Sequence, residues 1–398
     1  MRLKTLENIG AKTFNGADLV REGAIHRRIY TDPAIFSQEL TRIFHKNWLV
    51  VGHVSEVARP GDFKTLQMGD QPIIVSRDEG GELHVLLNTC RHRGALVCRE
   101  DRGNTKSFEC LYHSWSYHLD GCLAGLPKED GYGPSFEKAD VRLWPVPRVE
   151  THCGLIFACL DENIMPLAEF LGPAAEFIKL ALRSGEESEV AGVNEYRYQG
   201  NWKLHLDNTI DGYHVRYLHR FFSGAAQLFT QGESIALGNG HAVLQWETAK
   251  AAGDTGRLLG LDKSETTLPT NRVMVLFPSC AITHVQDSIN VRIGIPLAPA
   301  LTHVNAMAIA FHGETSAVRE RRTQQFAAAQ GPAGSAGADD IEAFEASHEG
   351  FQASVGDVGW LSIARGLHRE QGMKGDLEDD TALRGMYDKW QKCMNPSS

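Results

Sequence analysis

The sequence predicts an α+β chain: a small all-β domain, then a larger domain whose antiparallel sheet is backed by helices. Three observations carry this. From about Trp48 to Leu160, apolar residues fall in short alternating runs separated by turn signals, the pattern of half-buried strands. From about Asp161 onward, alternating runs and helix-period runs share the chain. The length, 398 residues, leaves room for two domains, or for one large domain with a smaller one appended. The expected boundaries are 1–45 for an N-terminal arm of the larger domain, 46–160 for the all-β domain, and 161–398 for the rest.

In the arm, Asp32-Pro33 reads as a helix start, and Ile35, Phe36, Leu40 and Phe44 follow at helical spacing. Gln71 to Ser76 reads as a strand, Asp78-Glu79-Gly80-Gly81 as a turn, and Leu83 to Leu87 as the returning strand. Ser116 to Leu119, Asp120-Gly121 and Cys122-Leu123 signal a second hairpin. In the larger domain, residues 166–183 read as helix, and 189–200 and 270–312 as strands. Residues 317–330, 339–353 and about 380–394 read as helices. The breaker-rich stretch from Gly331 to Gly337 is a loop. There is no internal repeat and no long low-complexity tract.

Composition excludes some functions. Hydrophobic residues make up 42% and charged residues 23%, ordinary for a globular chain. No apolar run approaches the roughly 18 residues of a membrane helix. The start, Met1-Arg2-Leu3-Lys4-Thr5, lacks the apolar core and cleavage site of a signal peptide, so a cytoplasmic location is expected. The net charge of −10 argues against a nucleic-acid partner. Eight cysteines in such a chain read as free thiols and metal ligands before disulfides.

Cys90-Arg91-His92 is followed, after 17 intervening residues, by Cys110-Leu111-Tyr112-His113. Two loops between strands can carry these mixed pairs and close on one metal centre from opposite sides. A Rieske [2Fe–2S] cluster needs this set, two thiolates on one iron and two imidazoles on the other. A zinc site uses the same residue types, but zinc fingers pair Cys with Cys and His with His. Cys98 and Cys122 read as buried thiols.

The second constellation runs from Asn201 to His219. His214 and His219 are five apart, a spacing that a helix with a local irregularity can aim at one metal. Asp211 is three before His214, on the same face if the segment is helical, where it can hydrogen-bond the outer imidazole nitrogen. Two histidines and a carboxylate make the facial triad of non-haem Fe(II) oxygenases. The carboxylate need not be local. Asp339 and Asp340 are candidates, although alone they would read as a capping pair for a helix from Ile341.

Cys90-Arg91-His92-Arg93-Gly94-Ala95, the run from Cys110 to Tyr117, and Gly61-Asp62-Phe63 before them resemble the Rieske segment of aromatic ring-hydroxylating oxygenase large (alpha) subunits. The likeness extends from Ile29 to Trp390. The spacing of Cys98 and the short second pair differ from the respiratory Rieske proteins, which carry an extra disulfide. The family's Gly-Pro-Ala-Gly stretch ends in two acids, of which the second ligates iron; here that is Asp340. Family members carry no ligand at the position of His205, which is therefore read as a supporting or surface residue. Asp207-Asn208 stands where Glu-Asn is usual.

The resemblance implies a terminal oxygenase with two cofactors, a [2Fe–2S] cluster and a mononuclear Fe(II). Electrons pass between them, and an aromatic substrate is hydroxylated with O2, with cis-dihydroxylation as the type case. The chain has no G-x-G-x-x-G and no P-loop, so NAD(P)H is oxidised by a partner reductase, directly or through a ferredoxin. The family's large subunits form trimers, or three-plus-three hexamers with a small β subunit. In these, an Asp in the place of Asp211 links one subunit's cluster to its neighbour's iron. Gly350-Phe351-Gln352 and the stretch from Leu383 to Trp390 resemble the subgroup acting on benzoate-type acids. Arg292 is the candidate partner for a substrate carboxylate; a structural Arg at a strand end is the competing reading. The alternatives are a mono-oxygenase or O-/N-demethylase on the same scaffold, a pure Rieske electron-transfer protein, and a zinc-stabilised interaction protein.

Overall fold

The computed structural model describes residues 16–183, 188–219, 232–247, 270–353 and 359–395. The arm folds as expected where it is described. Asp32 caps the helix Pro33–Glu39 by accepting the Ala34 N–H at 2.9 Å, and Pro33 sits in the first turn, where no N–H is required. A short π-helix, Leu40–Phe44, continues it. The strand Ala24–His26 pairs with Trp360–Ser362, so the arm shares a sheet with a segment of the larger region.

The all-β region holds three small sheets. Gln71–Arg77 and Leu83–Leu87 form the expected hairpin, its turn fixed by Asp78, which accepts the Glu82 N–H at 2.8 Å. The second hairpin is shorter than its sequence suggests, pairing Ser116–Tyr117 with Leu123–Gly125. Gly121 takes its turn at φ +90°, and a Cβ there would press on Leu86 at 3.1 Å.

In the larger region, eight described strands make one antiparallel sheet. Its order is Ser188–Tyr198, Leu301–Phe311, Ser288–Ala298, Cys280–Val285, Thr270–Leu276, His241–Glu247, Gly232–Gly238 and Lys374–Asp376. Residues 166–183 form two helices, not one. Leu167–Leu171 and Ala174–Ala181 are parted by Gly172, at φ +48°, and by Pro173, which has no N–H to continue the ladder. Ser316–Ala329 and Gly337–Phe351 are the next two helices, and Thr381–Met394 ends the fold. Gly337–Phe351 starts two residues earlier than the sequence suggests. A Cβ at Gly337 would collide with the Gly331 carbonyl oxygen. Among the described residues no helix is long and apolar enough to cross a membrane.

A buried polar network ties the arm to this region. Glu39 is fully buried; its Oε1 meets Lys203 Nζ at 2.6 Å and accepts the Trp390 indole N–H at 2.7 Å. Its Oε2 accepts the Trp202 indole N–H at 2.9 Å. Four residues along the helix from Lys203, Asp207 accepts the hydroxyls of Tyr30 at 2.6 Å and Tyr387 at 2.8 Å. Burial pushes the Asp207 carboxyl up to about 7, against the two tyrosines and Lys203, which lower it.

Removing one side of the Glu39–Lys203 pair strands a buried charge. Glu39→Leu is expected to destabilise the protein by about 3–5 kcal/mol. The double variant Glu39→Leu/Lys203→Met is expected to recover much of that. Urea unfolding midpoints check this; a wild-type midpoint in Glu39→Leu would show the pair to be dispensable.

Candidate metal centres and substrate cavity

The two Cys/His loops are built alike. Each cysteine carbonyl accepts the N–H four residues on, from Gly94 and Ser114, both at 2.9 Å. Each cysteine N–H donates to the carbonyl five residues on, of Ala95 at 2.8 Å and Trp115 at 2.9 Å. The closing residue is left-handed in both, with Gly94 at φ +74° and Ser114 at +53°. Cys90 and Cys110 are both buried, and the Tyr117 hydroxyl is 3.3 Å from Cys90 Sγ. The imidazoles stand at the rim with Nδ1 of His92 and of His113 only 3.1 Å apart, while the His92 ring stacks on Trp115. Thiols inside, imidazoles outside and two facing lone-pair nitrogens suit the donor set of a Rieske cluster. All eight cysteines are free thiols. Leu111, Tyr112 and Trp144 are exposed around this tip.

The second site hangs on the helix Trp202–Thr209, capped by Asn201, which accepts the Lys203 N–H. The helix stops at Thr209, so Asp211 lies on a turn and not on a helical face. Asp211 Oδ1 accepts the Tyr213 N–H at 2.7 Å, and its Oδ2 is 3.6 Å from His214 Nδ1. The short helix Val215–Leu218 then carries the chain to His219.

Asp340 meets both histidines. Its Oδ1 is 3.7 Å from His214 Nε2 and 3.4 Å from His219 Nε2. Among the described residues, His214, His219 and Asp340 are the one group whose ligand atoms all lie within 4.8 Å of one another. Asp339 instead backs His219, with Oδ2 at 3.2 Å from Nδ1. Because the helix begins at Gly337, neither acid caps it; both sit in its first turn. Burial opposes charge on His214, but Asp211 and Asp340 outweigh it and raise its pKa. A surplus of negative charge around two imidazoles suits a cation site.

A cavity of about 150 Å³ opens beside this group. An apolar space of that size holds one benzene-sized ring. The sheet supplies its floor, with Leu244, Trp246, Val273 and Val285, and the triad supplies its roof. Arg292 lies mid-strand, not at a strand end, and is 8% exposed. Its Nη2 donates to Thr283 at 3.1 Å and Thr209 at 3.3 Å, and its Nε has no partner. No carboxylate among the described residues makes an ion pair with it. His205 is not a surface residue. It is 1% exposed, and burial, aided by the Arg292 charge, holds its pKa well below the usual value. It stands outside the metal-binding group.

Sequence reasoning missed three roles. Asn208 donates to Asp340 Oδ1 at 3.0 Å and lies 3.4 Å from His214 Nε2, so it locks the acid beside the histidine. Thr209 and Thr283 hold the Arg292 fork. Asn208 was signalled only by its place beside Asp207; the threonines carry no signal before the sheet register is known.

Comparison with known proteins agrees with this geometry. The family model "Rieske [2Fe-2S] domain" matches residues 47–145, and "Ring hydroxylating alpha subunit (catalytic domain)" matches residues 186–396. Toluate 1,2-dioxygenase subunit alpha from Pseudomonas putida is 33% identical, over 92% of this chain and 90% of that protein. Anthranilate 1,2-dioxygenase large subunit from Acinetobacter baylyi is 32% identical, over 87% of this chain and 80% of that protein. The crystal structure of naphthalene 1,2-dioxygenase from Rhodococcus superposes with a TM-score of 0.85 at 25% identity, over 96% of this chain and 97% of that one.

The two neighbouring acids are expected to separate on mutation. Asp340→Ala should keep the visible spectrum of the cluster while losing mononuclear iron and turnover. Asp339→Ala, which removes only the backing of His219, should retain most of its iron; about a 10–100-fold weaker affinity is the usual cost of such a loss. Iron-to-sulfide ratios of the two proteins check this, and the reverse result would exchange the two roles.

Proposed function

Because the chain belongs to the Rieske non-haem iron ring-hydroxylating oxygenases, as a large (alpha) subunit, we propose that it oxygenates a benzoate-type aromatic acid, by dihydroxylation. The single observation that carries the acid is Arg292. A guanidinium held by two neutral hydroxyls in the cavity, with no carboxylate partner among the described residues, has an unmet electrostatic demand. A substrate carboxylate meets it through the planar fork. Relatives named for toluate and anthranilate, both aromatic carboxylates, support the reading.

In this reading Cys90, His92, Cys110 and His113 hold the cluster, and His214, His219 and Asp340 hold the iron. When bound, the cluster supplies single electrons and the iron supplies open positions for O2. The chain's own residues do the rest. Arg292 fixes one end of the substrate, and Leu244, Trp246, Val273 and Val285 hold the ring and exclude water. Asn208 keeps Asp340 facing the histidines. The site belongs to a system with a partner reductase that delivers the electrons; we infer NAD(P)H as the donor, used directly or through a ferredoxin.

We further propose that Asp211 carries electrons between subunits of a trimer, with or without three β subunits. It supports His214, yet it makes no hydrogen bond or ion pair to His92 or His113 of its own chain. Its side chain is 29% exposed, beside exposed Tyr213 and Tyr217. That patch and the exposed apolar tip around the cluster are two different surfaces, as head-to-tail assembly of a ring requires. The domain division at 45/46 and 160/161 and a cytoplasmic location, which suits eight free thiols, belong to the same proposal.

Two outcomes test this. Benzoate should compete with substrate at least about tenfold better than benzamide, and Arg292→Met should erase the difference; a charge-assisted hydrogen bond is worth roughly that or more. Equal binding of acid and amide would overturn the acid reading. Asp211→Asn should keep both metals and a reducible cluster, while single-turnover electron transfer to the mononuclear iron becomes very slow. Loss of that iron, with normal transfer in the loaded fraction, would make Asp211 only a support for His214.

A further inference from the structure

The cavity has a second polar end. The strands Cys280–Val285 and Ser288–Ala298 are joined by a two-residue turn, Gln286-Asp287, closed by the pair Val285 and Ser288. The turn is held from several sides. Gln286 N–H donates to Asn271 Oδ1 at 2.8 Å, and the Asp287 carbonyl accepts from Arg322, itself paired with Glu314. Gln286 stands at φ +58°, a left-handed conformation that a glutamine adopts only when its surroundings require it.

Gln286 and Ser288 are each 6% exposed, and both line the cavity. Gln286 Oε1 and Ser288 Oγ are buried and have no hydrogen-bond partner among the described residues. Buried polar groups are paired in nearly all folded proteins, and two orphans side by side on a rigid turn call for an outside partner. Ser288 and Arg292 are four residues apart on one strand, so both side chains rise from the same face, about 13 Å apart along the backbone at a rise of roughly 3.3 Å per residue. Leu244, Val273 and Thr283 lie on the floor with them.

We propose that Gln286 and Ser288 form a second substrate subsite, taking an uncharged hydrogen-bond donor on the ring across from the acid group. The inference rests on Arg292 as the acid's partner. A carboxamide oxygen only accepts, so the ligand must bring an O–H or N–H; the Ser288 hydroxyl gives or takes. The substrate class is then a benzoate with a distal hydroxyl or amino group. A plain alkyl benzoate would leave both oxygens unpaired.

The test uses the holoenzyme and calorimetric binding of 4-hydroxybenzoate against 4-methylbenzoate, which has similar shape but no donor. The wild type should prefer the hydroxy acid by about tenfold or more. In Gln286→Leu and in Ser288→Ala the ratio should fall toward one. Ser288→Ala removes an oxygen with no partner, so it keeps the test open if the strained Gln286 position does not accept leucine. A ratio near one in the wild type, or a full ratio in both variants, overturns the subsite. The pair 4-hydroxybenzamide and 4-methylbenzamide separates the two readings. A donor preference that persists on the amides, with acid and amide binding equally, keeps the subsite and rejects Arg292 as the acid's partner.

Discussion

A carboxylate cut off from water must find all its hydrogen bonds inside the protein, and Glu39 finds three. They come from Lys203 and Trp202 on one helix and from Trp390 on the last one. Glu39 itself stands at the end of the arm's helix. The pair is a weak source of net stability, because desolvation of both ions opposes the attraction. Its effect is on register. Sliding the Trp202–Thr209 helix by one residue would break Lys203 from Glu39 and Asp207 from Tyr30 and Tyr387 together. That helix ends in Asn208 and Thr209, the residues that hold Asp340 and Arg292. The position of the reaction site is therefore set by a polar network on the far side of the same helix.

Asp340 reaches the site by a different constraint. Its helix packs so closely behind the Gly331–Gly337 loop that a side chain at Gly337 has no room. This lets the helix start at Gly337 and puts Asp339 and Asp340 into its first turn, a place where the helix dipole also favours acids. Adjacent residues there diverge by about 100° around the helix axis at 3.6 residues per turn. Asp340 thus faces both Nε2 atoms, while Asp339 reaches round to Nδ1 of His219. Two identical side chains, one residue apart, acquire different tasks from helical geometry alone.

The candidate ligand pairs were legible because their residues lie close in sequence, whereas Asp340 came only from the family resemblance. Cys90 with His92, Cys110 with His113, and His214 with His219 keep their spacing whatever the rest of the chain does. Hairpins and long helices were legible for the same reason. What failed depended on backbone detail. Asp211 and His214 meet through an Asx turn, not a helical face, because the helix ends at Thr209. Gly172-Pro173 split a helix that periodicity alone joins. Arg292 lines the cavity, but a strand-end structural role could not be separated from a cavity role by sequence. That distinction needs the register that sets Arg292 opposite Ala281 and beside Thr283. Gln286 and Ser288 gave no signal, since their significance is a missing partner, and Asn208 gave none beyond its place beside Asp207.

The placement of Arg292 also explains why it does not close its own site. Three acids, Asp211, Asp339 and Asp340, surround the two histidines, and a free guanidinium nearby would be drawn to them. Two threonine hydroxyls hold Nη2 instead, one from the sheet and one from the end of the helix that carries Asn208. Neutral oxygens fix the direction of the fork without satisfying its charge. Asp340 is at the same time engaged by Asn208. The cavity therefore keeps a negative wall and a positive end apart. On the proposed reading, an aromatic anion would lie between them with its acid group toward Arg292 and its ring beneath the triad. A neutral ring would leave the guanidinium unpaired, and the reversed anion would press its charge against the acids. Orientation in such a site follows from where the charges are fixed.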